Sequence, residues 1–365
     1  MGAHVNMRIW PAALLLSFLT GGLALAGTLI PPDHKNLQYT GRIDFSAPKA
    51  PSLSWPGSAV AGNFTGSSLA VTLDDQNGKN YFNVFVDGIE AAPVIIEAAK
   101  GSKRYQVAQG LEPGRHSFLI TKRTEGEEGA TVLRGLELDD GASLLPPPPR
   151  PRHRIEFFGD SITSGAGNEA PLNGRDDLPR DKNSFMAYAE IAARKLDAEV
   201  HLTSQSGIGV MISWFPFTMP DFYDQLSAVG DNDSKWDFSR WTPEVVVINL
   251  MQNDSWLIGR DHKLQPEPNE DQRIEAYRSF VKRVRQLYPN AYIVCALGSM
   301  EATRAGSPWP GYVKSAVERM RRQDGEQRID TLFFEFTGYG QHPRVRQHQE
   351  NAAKLAAFIK ARMGW

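Results

Sequence analysis

The sequence holds a single cysteine, Cys295, in 365 residues. One thiol excludes an internal disulfide and any zinc cluster built on cysteines. A surplus of charge is missing as well, with 40 Lys and Arg against 42 Asp and Glu. Without a basic excess to neutralise phosphates, nucleic acid is excluded as a partner. No Walker loop and no Gly-x-Gly-x-x-Gly follows a strand-like run, so no nucleotide cofactor is indicated. Beyond the first 26 residues, no apolar run is long enough to cross a bilayer.

That first stretch is where the pattern starts. Arg8 precedes an almost unbroken apolar run from Ile9 to Leu25, closing on Ala24-Leu25-Ala26. The charge, the short greasy core and the small-x-small ending fit a signal peptide over 1–26, cleaved before Gly27. We therefore expect an exported protein, secreted or periplasmic, with no membrane contact after cleavage.

Hydrophobic residues make up 41% of the chain, enough for each of two domains to bury a core. Leu144 to Arg154 reads LLPPPPRPRHR, a proline run expected to act as a stiff linker over 146–153. Before it, over 28–145, short alternating segments such as SLAVTL, YFNVFVDG and HSFLITKR are split by Asp87-Gly88 and Pro113-Gly114 turns. That rhythm predicts an antiparallel β-sandwich. After it, over 154–365, buried-strand runs (IEFFGDS, VHLTSQS, EVVVINLM, YIVCALGS, TLFFEFT) alternate with helical windows at 185–196, 273–287, 312–322 and 345–363. Alternation of this kind predicts a three-layer, flavodoxin-like α/β domain on a parallel sheet, with its site at the carboxyl strand ends.

Four strand ends carry chemistry. The first strand runs into Gly159-Asp160-Ser161, a turn that can present the Ser161 hydroxyl as a nucleophile beside helix N–H groups. The second leads to Ser206-Gly207, where a glycine N–H can approach a developing oxyanion. The third leads to Asn253, whose amide can donate to the same oxygen. After the last comes Gln341-His342-Pro343, with His342 placed to deprotonate Ser161. Of eight histidines, only His342 follows the last strand; His348 belongs to the final helix and is the next candidate. Trp214 and Trp256 each follow one of these blocks and can stack on a sugar ring or simply fill space between loops. His342, His348 and Glu350 have the spacing of no common zinc motif.

The ordered Ser, Gly, Asn and His blocks resemble the SGNH hydrolase superfamily. More narrowly, Gly159-Asp160-Ser161-Ile162-Thr163, Ser206-Gly207-Ile208-Gly209-Val210 and Met219-Pro220-x-x-Tyr223 resemble carbohydrate esterase family 2. So do Trp55-Pro56-Gly57-Ser58, Asn80-Tyr81-Phe82 and Lys122-Arg123-Thr124-Glu125 in the first domain. The resemblance implies an N-terminal jelly-roll and an exported acetyl esterase. Its substrate would be O-acetylated plant polysaccharide or oligosaccharide, often at sugar 6-positions. It implies Ser161 as nucleophile, His342 as base, and Ser161, Gly207 and Asn253 as oxyanion hole, with no metal and no cofactor.

Two positions depart from the family pattern. Met251 stands where glycine is usual, and Gly340 where many members carry an acid two residues before the histidine. A Ser–His dyad is therefore expected, with Gln341, Tyr339 or a backbone carbonyl holding the imidazole. Two other functions stay open: an esterase or lipase for other acyl groups, and a non-catalytic polysaccharide-binding protein. The first domain reads better as a scaffold walling the cleft than as a lectin-like module.

Overall fold

The computed structural model describes residues 27–365. The expected signal peptide lies outside the described residues.

Eleven strands come first: β1 (Thr28–Ile30), β2 (Gln38–Thr40), β3 (Ser52–Leu53), β4 (Ala59–Gly66), β5 (Leu69–Asp75), β6 (Tyr81–Val86), β7 (Val94–Glu97), β8 (Gly101–Ala108), β9 (Gly114–Lys122), β10 (Thr131–Leu138) and β11 (Leu144–Leu145). They form two antiparallel sheets, β1-β10-β5-β8 with β3 on β10, and β11-β4-β9-β6-β7 with β2 on β4. The inward residues of both meet in one core: Leu69, Val71 and Leu133 from one sheet, Phe64, Phe82 and Phe118 from the other. This is the face-to-face burial that alternating patterns produce.

The proline run that follows is fastened on both sides. Pro146 and Pro148 carbonyls accept from Asn63 and Gln38, at 2.8 and 3.0 Å. Arg150 pairs with Glu199.

The rest of the described chain alternates β12 (His153–Gly159), α1 (Ser161–Ser164), α2 (Tyr188–Lys195), β13 (Ala198–Ser204), α3 (Met219–Phe222), β14 (Val245–Asn249), α4 (Gln252–Asp254), α5 (Glu270–Leu287), β15 (Tyr292–Leu297), α6 (Trp309–Gln323), β16 (Ile329–Phe333) and α7 (Val345–Met363). The five strands are parallel in the order β13-β12-β14-β15-β16, the doubly wound 2-1-3-4-5 arrangement. Successive residues serve opposite layers. Phe157, Val245 and Val247 face α2 and α7, whereas Phe158, Val246 and Ile248 face α5 and α6. The long helix α5 starts where Asn269 and Gln272 cap each other, both at 2.9 Å.

The two β systems are joined through buried polar contacts. Arg42 donates to Glu156 at 2.6 Å, with side chains 1% and 0% exposed. It also donates to the carbonyls of Tyr223 and Gln225. Trp55 leaves the sandwich to pack in the α5/α6 core, its Nε1 donating to Leu226 O at 2.8 Å. At Gly126 a Cβ would sit 1.9 Å from the Ala228 carbonyl, so the two segments meet there at backbone distance.

Candidate active site

β12 ends at Gly159, where a Cβ would lie 2.0 Å from the Thr163 hydroxyl, so only glycine fits this turn. Asp160 caps α1 by accepting from the Ile162 N–H at 3.0 Å. Burial pushes its carboxyl up to about 7, and the charges of Asp254 and Glu125 add to the effect. Its Oδ2 has no partner among the described residues. Ser161 follows at the start of the one-turn helix and is 4% exposed.

The neighbouring strand ends carry the next two blocks. Gln205 N donates to Gly159 O at 3.3 Å, tying the loop after β13 to the end of β12. Gly207 takes φ +83°, where a Cβ would press on Trp214 and Phe215 at 3.3 Å. The backbone N–H groups of Ser161 and Gly207 have no hydrogen-bond partner among the described residues. After β14, Asn253 Nδ2 donates to Ile208 O at 2.8 Å and its Oδ1 accepts from Trp214 Nε1 at 3.2 Å. One amide proton of Asn253 is thus spoken for and the other stays available to a ligand. Asp254 stitches the same loop by accepting from the N–H groups of Val210 and Met211. Met251, at φ +85°, is fully buried in the α5/α6 core. Burial of this side chain accompanies a bulky residue at a turn that favours glycine.

His342 lies beyond β16. Its Nδ1 is 2.9 Å from Asp176 Oδ2, and the same oxygen accepts from its backbone N–H at 2.9 Å. Hydrogen bonding to His342 holds the Asp176 carboxyl down at about 2, with partial burial opposing and the charges of His342 and Arg344 assisting. The nitrogen expected to face Gln341, Tyr339 or a backbone carbonyl thus faces Asp176. Gln341 bonds instead to Asn173 N and Gly174 O, and the Tyr339 hydroxyl lies against the Arg344 N–H. No hydrogen bond joins the Ser161 hydroxyl to the His342 ring among the described residues. Their segments meet through Val345 N and Asn168 O at 3.1 Å. His348 is committed elsewhere: fully buried, its Nδ1 accepts from Tyr188 N at 3.1 Å.

The two tryptophans differ. Trp214 is 54% exposed beside Gly207. Trp256 is half-buried against the α2/α7 core, with the Arg260 guanidinium over its ring at 5.5 Å. It lines a cavity of about 610 Å³ with Arg260, Glu301, Arg304 and Trp309.

The sandwich also reaches this centre, through Glu125. Its buried carboxylate accepts from the N–H of Ser206 at 2.5 Å and from the Ser206 hydroxyl. Lys182 lies 3.0, 3.2 and 2.6 Å from the carboxylates of Glu125, Glu127 and Glu128. The three acids converge as metal ligands would, and an ammonium already fills that role.

Comparison with known proteins gives this geometry a family. Residues 39–148 match the carbohydrate esterase 2 N-terminal family model, and residues 157–359 match the GDSL-like lipase/acylhydrolase family. A solved family two carbohydrate esterase from Clostridium thermocellum, in complex with cellohexaose, is 32% identical with a TM-score of 0.81. The match covers 90% of this chain and 99% of that one. The chain belongs to carbohydrate esterase family 2. The cellulase/esterase CelE of Acetivibrio thermocellus is 34% identical over 91% of this family 2 chain, which spans only 40% of CelE's length. An acetylxylan esterase / glucomannan deacetylase of Cellvibrio japonicus is 29% identical, covering 95% of this chain and 97% of that protein.

Against that family background, sequence reasoning missed Asp176 and Glu125. Asp176 sits in the polar run Arg175-Asp176-Asp177 with nothing local to single it out. Glu125 was legible as part of a family-like Lys-Arg-Thr-Glu string, without a role.

Proposed function

We propose that this protein is an exported serine esterase that removes O-acetyl groups from plant cell-wall polysaccharides or oligosaccharides. Acetylxylan and acetylglucomannan are the expected types. In this reading residues 28–145 form a jelly-roll that scaffolds the hydrolase domain at 154–365. Export rests on the leader-like composition of residues 1–26. No described helix is long and apolar enough to cross a membrane.

One observation carries the reading: Ser161, Gly207 and Asn253 stand at the carboxyl ends of three adjacent parallel strands, β12, β13 and β14. His342 takes the proton from the Ser161 hydroxyl, whose oxygen attacks the acetyl carbonyl. The tetrahedral oxyanion receives the N–H groups of Ser161 and Gly207 and the free amide proton of Asn253. His342 then protonates the departing sugar oxygen. Water repeats the sequence on the acyl-enzyme, releasing acetate and restoring the serine.

The test is acetate release from acetylated xylan, glucomannan and simple sugars, with acetyl, butyryl and octanoyl p-nitrophenyl esters in parallel. Preference for acetyl, lost in Ser161→Ala, supports the reading. A preference for octanoyl, or wild-type turnover by Ser161→Ala, contradicts it.

A further inference from the structure

We infer that Asp176 is the positioning residue for His342, an acid supplied from the excursion between α1 and α2 rather than from the histidine's own loop. The inference rests on the reading of Ser161 as nucleophile and His342 as base.

The chemistry follows from which atoms can donate. Asp176 is ionised down to about pH 2, so its Oδ2 only accepts. The nitrogen facing it at 2.9 Å, Nδ1, must therefore carry the ring proton. That tautomer leaves Nε2 bare, the form that can take a proton from a serine. When it does, the imidazolium forms beside a carboxylate already in place. The second bond, from the His342 backbone N–H to the same Oδ2, fixes the ring's pivot as well as its edge.

The excursion is held against the histidine loop at several points. Gln341 accepts from Asn173 N at 3.1 Å and donates to Gly174 O at 2.6 Å. Arg344 donates to Pro171 O at 3.1 Å and to His342 O at 2.7 Å. Gly167 makes room: a Cβ there would lie 2.4 Å from Asp176 O. Arg175 cannot compete for Asp176, because it pairs with Asp177 at 2.7 Å. At the position two before the histidine, a side chain on Gly340 would meet Glu301 Oε1 at 3.2 Å. An acid placed there would face another carboxylate. The charged and titratable groups around His342 are thus Asp176, Arg344, whose Nη1 is 3.9 Å from Asp176, and buried His348.

The test is steady-state kinetics and pH profiles of the full chain on p-nitrophenyl acetate for Asp176→Asn, Asp176→Glu, His342→Ala and the double variant Asp176→Asn/His342→Ala. Asp176→Asn should lower kcat by about 10²–10⁴-fold, leave KM nearly unchanged, and move the acid limb of kcat/KM to lower pH. Asp176→Glu should recover part of the loss. In the His342→Ala background, Asp176→Asn should cost nothing further, because a positioning residue acts only through the ring it positions. Additive losses, or Asp176→Asn within threefold of wild type with an unmoved profile, overturn the inference. Ser161→Ala, run alongside, separates the two ideas. If it abolishes turnover while Asp176→Asn does not, only the role of Asp176 fails. If it retains turnover, the reading of the site itself fails.

Discussion

Glu125 of the β-sandwich grips Ser206, the residue before Gly207, by both its N–H and its hydroxyl. Burial alone would raise this carboxyl. Lys182 and Ser206 reverse the effect and hold it below the ordinary carboxylate range. A side chain of one domain therefore sets the backbone of the loop that carries a proposed oxyanion donor in the other. We propose that the sandwich thereby helps to set where the Gly207 N–H points.

The consequence is measurable. Glu125→Gln keeps the volume but replaces a charge-assisted grip, worth about 1.5–3 kcal/mol, with a neutral one. We expect kcat on p-nitrophenyl acetate to fall about tenfold or more with little change in KM. A lower Tm with unchanged kcat would reduce Glu125 to a purely structural contact.

Trp214 offers a second test, because its indole holds the Asn253 carbonyl at 3.2 Å while its ring stays largely exposed. Trp214→Phe keeps an aromatic face and removes the donor. If the bond matters, kcat falls about two- to tenfold, as a neutral hydrogen bond allows, and KM for acetylated oligosaccharide holds. If Trp214 is chiefly a sugar platform, Phe is nearly silent and Trp214→Ala raises KM instead.

The positions of the candidate groups were readable in the chain. The Gly159-Asp160-Ser161 turn, the glycine and asparagine blocks and the histidine are short motifs that follow strands, as expected, because local sequence dictates local geometry there. The helix expected at 345–363 is found there because its apolar spacing and Gly364 define both face and end. The acid beside His342 was not readable. Asp176 lies 166 residues from its partner, beside a second aspartate, Asp177, that looks no different in the sequence. Glu125 and Lys182 are likewise brought together only by the domain interface. Long-range pairing of polar side chains leaves no periodic mark.

Met251 gives a stability prediction. Its φ of +85° costs a non-glycine residue about 1–2 kcal/mol, while truncating a buried methionine costs about 2–5 kcal/mol. Met251→Gly should therefore be net destabilising, by about 1–3 kcal/mol in denaturant unfolding. A more stable variant would show that backbone strain dominates at this turn.

His348 governs part of the acid response. Burial, with help from the His342 charge, lowers its pKa to about 3 from an ordinary 6.5. The unfolded chain thus binds a proton between these values that the folded chain refuses. Its contribution is fully present above pH 6.5 and is lost as pH falls toward 3. The Tm difference between pH 7 and pH 4 should shrink in His348→Asn, whose Oδ1 can still accept from Tyr188. An unchanged difference would mean that other groups drive acid unfolding.

The most direct measurement of the central claim is acid-quench mass spectrometry during turnover of p-nitrophenyl acetate. The account predicts one acetyl group per chain in the quenched enzyme, mapped by peptide sequencing to Ser161. An acetyl group on any other residue, or none under conditions of demonstrated burst kinetics, would contradict it.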